Sequence, residues 1–453
     1  MEDLIPYGIV LAKCVFAVAF VMQIVPLLIW AERKGSAYIQ DRPGPNRADI
    51  LGIRAGGLVH TLVDVVKLIL KEDIVPGHVN WFFWFIAPVI AMTVSLCTFI
   101  VVPFGDSFMG YDLRVSTIDG GLLYILAMTS LGVYGVMLAG WASNNKFSLL
   151  GGLRASAQMV SYELAMGLSA AVVFMLAGSV SLQEIVGSQI EGFFPNGTLL
   201  NWNVFSPWGF LAFILFWTAA FAETNRTPFD LPEGEAELVA GYHTEYSSLR
   251  FALFFMAEYA NMIVAASVTT TLFFGGYSTG LPFVDGAFLR AHADLVVAAA
   301  GFGAVPPLLF FASVAWKRRN RPFYQALAAD DIRHREPKFF TALWLGLAVA
   351  HVGLGGAGLL GLPGQLSLNM LTMGAIENAT VFGPDLVAAA VHLTVFSVKV
   401  LLGCWIFIWV RWTIVRFRYD QLMNLGWKRM LPLALANLFI AALWVIVKET
   451  FIV

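Results

Sequence analysis

Charge is what this 453-residue sequence has least of: 28 Lys and Arg with 30 Asp and Glu make 13% of it, about half the share of an ordinary soluble domain. Cysteine is scarcer still. The three present, Cys14, Cys97 and Cys404, each lie alone inside an apolar run, which excludes a disulfide framework, a CxxC metal site and a thiolate-held redox centre. The seven histidines show no HxxxH or HExxH spacing, and no GxSxG elbow or P-loop occurs, so hydrolase, metalloenzyme and nucleotide-binding readings all lack a site. A formal net charge of −2 gives no electrostatic basis for binding nucleic acid.

What fills the sequence is apolar, at 58% of residues and a mean hydropathy of +0.74. Predominantly apolar runs of about 20 residues, enough to cross a bilayer, fall near 4–30, 81–103, 121–141, 158–180, 207–222, 251–275, 293–316, 339–362, 386–410 and 431–448. They predict an all-α polytopic membrane protein with about ten transmembrane helices. The first run is too long for a signal-peptide core and is preceded by Glu2 and Asp3 rather than by bases, so it is expected to stay as an anchor. Of the 28 bases, 23 fall in the loops after odd-numbered spans and 2 after even-numbered ones. Bases are retained on the cytoplasmic side, which puts both termini outside. With no repeat and no Gly/Ser linker, residues 1–453 read as a single membrane domain.

Chemistry gathers in the cytoplasmic loops. The first, about 31–80, carries Ala31-Glu32-Arg33-Lys34 and then Arg42-Pro-Gly-Pro-Asn46, whose prolines fix an extended turn. His60, Asp64, Lys67 and Lys71 follow at offsets that share one helix face, predicting an amphipathic helix at the membrane interface. Such a loop either meets anionic lipid or docks a neighbouring protein at the mouth of a cavity.

Between 223 and 245 stand six acids, Glu223, Asp230, Glu233, Glu235, Glu237 and Glu245, against Arg226 alone, interleaved with Phe229, Leu231, Leu238 and Val239. Packed carboxylates desolvate and repel one another, so their titrations couple and protons can pass among them. Glu258 falls about 12 Å into the sixth span, and Glu163 near the start of the fourth, beside Tyr162. Acids inside spans face a partner, water or the bundle interior. Arg154 and Lys146 are the expected partners of Glu163. Asp385, His392 and Lys399 share a face of the ninth span, where Lys399, near mid-membrane, needs a carboxylate or water and is a candidate for an ion path. Gly353, Gly355 and Gly358 spell GxGxxG, but inside an apolar run with no strand before it, so helix packing is the better reading.

These segments resemble the H-subunit family of bacterial proton-translocating NADH:quinone oxidoreductase, respiratory complex I, whose mitochondrial counterpart is NADH dehydrogenase subunit one. The resemblance rests on Ala31 to Lys34 with Arg42 to Asn46, Gly140 to Lys146, Leu153 to Glu163, Glu223 to Glu237, Phe251 to Asn261, and Arg418 to Met423 with Gly426 to Lys428. It implies a membrane component with no redox centre or catalytic residue of its own, in the bacterial inner membrane. Quinone would be the substrate, and FMN and iron–sulfur clusters would sit in partner subunits. It implies that Arg33, Asp64, Arg226 and Asp230 line or support the quinone cavity, and that Glu163, Glu223, Glu233, Glu235, Glu237, Glu245 and Glu258 form an acidic channel that begins coupling. Glu32, Tyr162, Arg154 and Lys399 are supporting candidates. The implied partners are the hydrophilic-arm subunits with the terminal iron–sulfur cluster, small membrane subunits, antiporter-like subunits and lipid.

The resemblance covers about 1–275 and 386–453. Residues 276–385, with two further helices and the bases of Lys317 to Arg321 and Arg333 to Arg335, look like an insertion into a core of eight helices. It is expected to cover a periphery or meet an accessory protein or lipid, with quinone reduction surviving its removal. Two rivals stand beside this reading: the equivalent component of a membrane-bound hydrogenase or other-donor complex, and a free-standing secondary transporter, which should show related halves.

Overall fold

The computed structural model describes residues 5–191, 199–230, 239–281, 284–320, 322–325, 331–365 and 382–451. The long helices are α1 (Ile5–Ile39), α2 (Val59–Leu70), α3 (Trp81–Cys97), α4 (Gly121–Ala142), α5 (Lys146–Ala177), α6 (Pro207–Glu223), α7 (Ser248–Phe273), α8 (Ala293–Lys317), α9 (Arg335–Leu359), α10 (Phe382–Thr413) and α11 (Leu431–Phe451). Among the described residues nine helices are long and apolar enough to cross a membrane, and the apolar α6, at 17 residues, occupies the fifth expected span. Strand among these residues is confined to one two-stranded hairpin, Ser107–Phe108 with Tyr111–Asp112. The protein is an all-α polytopic membrane protein.

Several helices outrun the bilayer. At 1.5 Å per residue the 35 residues of α1 reach about 52 Å, well beyond a ~30 Å hydrocarbon core, so Glu32, Arg33 and Lys34 belong to the helix and not to a loop. The 32-residue α5 begins at Lys146 and takes in Arg154 and Glu163, and the segment before α11 is already helical from Tyr419, through a π-turn at Leu425–Met430. Hydropathy marks only the apolar stretch of a helix; the charged extension beyond it stays invisible. This overturns the expected pairing of Glu163: on one straight helix Arg154 and Lys146 lie about 14 and 26 Å from it along the axis, out of reach.

Helices α3 to α7 form the packed centre, with α1, α10 and α11 against it. Small residues set the closest approaches, as expected between membrane helices. A Cβ on Gly140 would fall 2.6 Å from Ser148 O, and one on Gly151 2.7 Å from Tyr242 N. Helices α8 and α9 make a hairpin of their own. There two of the three GxGxxG glycines resolve as packing, since a Cβ on Gly358 would meet Ala298 N at 2.4 Å and one on Gly301 would meet Gly355 N at 2.4 Å, while Gly353 has nothing within 4 Å.

At one end of the bundle the loops interlock. Ser248 Oγ lies 2.9 Å from Leu68 O and Lys71 O, Arg250 pairs with Asp73 at 3.2 Å, and the Arg250 guanidinium stacks over Trp84. At the opposite end, α10 holds the connecting loops. Asp385 accepts from Arg290 Nε at 2.7 Å, and the Lys399 ammonium donates to the carbonyls of Phe274, Gly276 and Ser278 at 2.7, 2.9 and 2.6 Å. Lys399 therefore caps the carboxyl end of α7, where orphan carbonyls and the helix dipole attract a cation.

Candidate functional site

The loop after α6, residues 224–230, is buried along its whole length. Such a loop must satisfy its backbone internally, and Gln158 of α5 does much of this: its Nε2 lies 2.8 Å from Ala222 O, 3.2 Å from Asn225 Oδ1 and 2.8 Å from Phe229 O. Phe229 wedges between the rings of Tyr162 and Phe417, and Tyr162 donates to Leu422 O at 2.8 Å. Tyr162 thus anchors the helix turn at 422 and is a scaffold group.

The loop delivers Arg226 into the bundle, where four charges meet. Arg226 Nη1 is 3.2 Å from Glu32 Oε2, and its Nη2 is 3.6 Å from Glu258 Oε2. Arg411 of α10 binds the other oxygen of Glu32, and Tyr259 donates to Glu32 Oε2 at 2.7 Å while its ring lies 4.2 Å beneath the Arg226 guanidinium. Tyr242 donates to Glu258 at 3.4 Å. Among the described residues, two carboxylates and two guanidiniums make a largely buried cluster of balanced formal charge drawn from α1, α7, α10 and the loop. Burial alone pulls Arg226 toward its neutral form, and Tyr259, Glu32 and Glu258 outweigh it, so the guanidinium titrates above the ordinary arginine range.

Glu223, three residues earlier, has a different environment. It is buried, its Oε2 finds no hydrogen-bond partner among the described residues, and Glu163 is close enough to act on it electrostatically. Glu163 itself accepts from Ser130. Glu223 lines two neighbouring small pockets, of about 40 and 30 Å³. Gly132, Met159, Thr224 and Asn261 line both, and the second also reaches Glu258 and Tyr242. Glu223, whose Oε2 is unbonded among the described residues, and Glu258 of the ion cluster thus border the same small pocket.

The remaining sequence candidates surround this centre. Arg33 and Asp64 pair across α1 and α2 near the surface, and buried Asp230 pairs with Arg416 at 2.9 Å. Glu245 accepts from Asn145 Nδ2 at 2.6 Å, with His78 Nε2 4.0 Å away. Arg154 stands over the ring of Tyr419 at 5.8 Å. Lys399 belongs to the opposite end, and Glu233, Glu235 and Glu237 lie outside the described residues. The sequence alone does not single out Arg411, Tyr259 or Tyr242. A base at the end of an apolar span, Arg411, is the one signal it offers; the two tyrosines give none.

The profile of the NADH dehydrogenase family matches residues 12–322 and 343–442. The chain is 40% identical over 446 residues to a Solibacter usitatus protein named as the first NADH-quinone oxidoreductase H subunit of that bacterium, covering 97% of each. It is 38% identical over 454 residues to the second such H subunit of Koribacter versatilis, covering 97% of this chain and 98% of that one. To the corresponding protein of Salinibacter ruber it is 40% identical over 421 residues, or 93% and 91%.

Proposed function

The chain belongs to the H-subunit family of NADH-quinone oxidoreductase, and from that premise we propose that it forms the membrane entrance to a quinone cavity and the first acidic relay coupling quinone reduction to proton translocation. The observation that carries this is the ion cluster of Glu32, Arg226, Glu258 and Arg411, whose Glu258 shares a small pocket with the buried Glu223. NADH would supply electrons through partner subunits that carry FMN and iron–sulfur clusters, and two electrons with two protons convert quinone to quinol. The interlocked end of the bundle faces the cytoplasm in this reading, as its bases require, and meets the hydrophilic arm.

Arg33 and Asp64 suit the entrance, because a pair this exposed contributes at most about 1 kcal/mol to stability and stays open to a ligand. Beneath it, charge arriving or leaving at the cavity competes with Glu32 for Arg226 and Arg411. Arg226 hydrogen-bonds Glu32 at 3.2 Å and faces Glu258 at a looser 3.6 Å, so a shift toward one weakens its hold on the other. The freed carboxylate, no longer held ionised by the guanidinium, takes up a proton, and Glu223 lines a small pocket that also reaches Glu258.

Arg33→Ala and Asp230→Ala in the assembled complex test the entrance. Quinone kcat/KM should fall roughly tenfold, the equivalent of about 1.4 kcal/mol, while NADH oxidation by an artificial acceptor is retained. Unchanged quinone kinetics in both variants would remove these residues from the cavity.

A further inference from the structure

The two helices α8 and α9 expose most of their membrane surface, yet Tyr324 between them and Glu336 on the first turn of α9 bind the first loop. Arg54, Tyr324 and Glu336 form a closed buried triangle. Arg54 Nε is 2.9 Å from Glu336 Oε2, Arg54 Nη2 is 2.9 Å from the Tyr324 hydroxyl, and that hydroxyl donates to Glu336 Oε2 at 2.8 Å. All three residues are no more than 6% exposed. Beside them Gly52 takes a φ of +84°, and a Cβ there would lie 2.4 Å from Ile332 Cγ2 and 2.6 Å from Ile332 O. Only glycine fits both the backbone angle and the approach.

We propose that Tyr324, Ile332 and Glu336, the last on the first turn of α9, form a clamp that sets the position of the first loop, with Arg54 as its positioning residue for quinone entry; the link to quinone rests on the entrance reading above. A planar guanidinium buried against one carboxylate and one phenol adds little net stability, because desolvation consumes most of the gain, but it permits only one arrangement of its partners. That arrangement is passed on along a short path. Gly56 O, two residues from Arg54, accepts from Trp30 Nε1 of α1 at 3.1 Å, and α2 starts at Val59 and presents Asp64 to Arg33. On the far side of the loop Lys34 Nζ donates to Pro43 O at 2.8 Å. The clamp therefore fixes one flank of the loop while α1 fixes the other, with the Arg33 and Asp64 pair between them. The expectation that the insertion is dispensable applies to its membrane faces and not to this clamp.

The test uses the assembled complex with Arg54→Met, Glu336→Gln and, as a variant that removes a single hydroxyl and keeps the fold, Tyr324→Phe, beside Arg33→Ala. Amide exchange over residues 50–58 should rise at least tenfold in Arg54→Met. The KM for quinone should rise roughly three- to tenfold with a smaller change in kcat, and artificial-acceptor oxidation should hold. Arg54→Lys, which keeps the charge and loses the fork, should recover only part of the KM. Unchanged exchange overturns the clamp. Raised exchange with an unmoved KM, while Arg33→Ala still impairs quinone reduction, overturns the positioning role alone; an unmoved KM in Arg33→Ala as well overturns the entrance reading beneath it.

Discussion

Arg226→Met should be the most damaging single substitution at this site. It removes from Glu258 and from one oxygen of Glu32 the buried guanidinium that holds both, leaving Arg411 on Glu32 and a tyrosine hydroxyl on each. Removing one partner of a buried ion pair typically costs about 3–5 kcal/mol. The assembled complex should fall severalfold in amount, and what assembles should lose quinone reduction by about a hundredfold or more. Arg226→Lys should recover assembly better than activity, since an ammonium cannot span two carboxylates and lie on the Tyr259 ring together. Quantifying assembled complex and inhibitor-sensitive turnover in the two variants checks this. Near-normal values for Arg226→Met would mean that the cluster is not a working part.

Glu223→Gln should separate structure from function most cleanly. The side chain keeps its shape, no hydrogen bond to its Oε2 is lost among the described residues, and the repulsion with Glu163 is relieved. Stability should therefore change by less than about 1 kcal/mol. Proton translocation linked to quinone reduction should drop at least fivefold, because an amide cannot carry the proton that a buried carboxylate exchanges. Glu163→Gln should act in the same direction through the Ser130 hydrogen bond. Proton uptake by complex reconstituted in vesicles reads both, and normal pumping at normal assembly would remove these acids from the relay.

The membrane spans are legible in the sequence because each is an apolar run of bilayer length, and their interiors fall where hydropathy puts them. Their ends are not. Hydropathy sets Glu163 near a helix start, but it lies 17 residues inside α5, since the polar extension from Lys146 continues the same helix. Over residues 224–230 the acidic loop is legible as a packed element from Phe229, whereas Val239 is exposed and Leu231 and Leu238 lie outside the described residues. The partners of Arg226 are not legible, because Glu32 lies 194 positions away in sequence and is itself held by Arg411 across 379 positions. Lys399 shows the same limit from the other side. A search for a side-chain partner cannot foresee three backbone carbonyls at a helix end. The Arg54 triangle is hidden for a related reason: its members are separated by up to 282 positions and carry no periodic signal.

The most direct test of the central claim is to purify the tagged chain from membranes in mild detergent, identify what comes with it, and measure inhibitor-sensitive quinone reduction by NADH. The account predicts co-purification of flavin and iron–sulfur proteins and NADH-driven quinone reduction that disappears in Arg226→Met. Recovery of the chain alone, or with a nickel-containing protein and no NADH-driven quinone reduction, would contradict it.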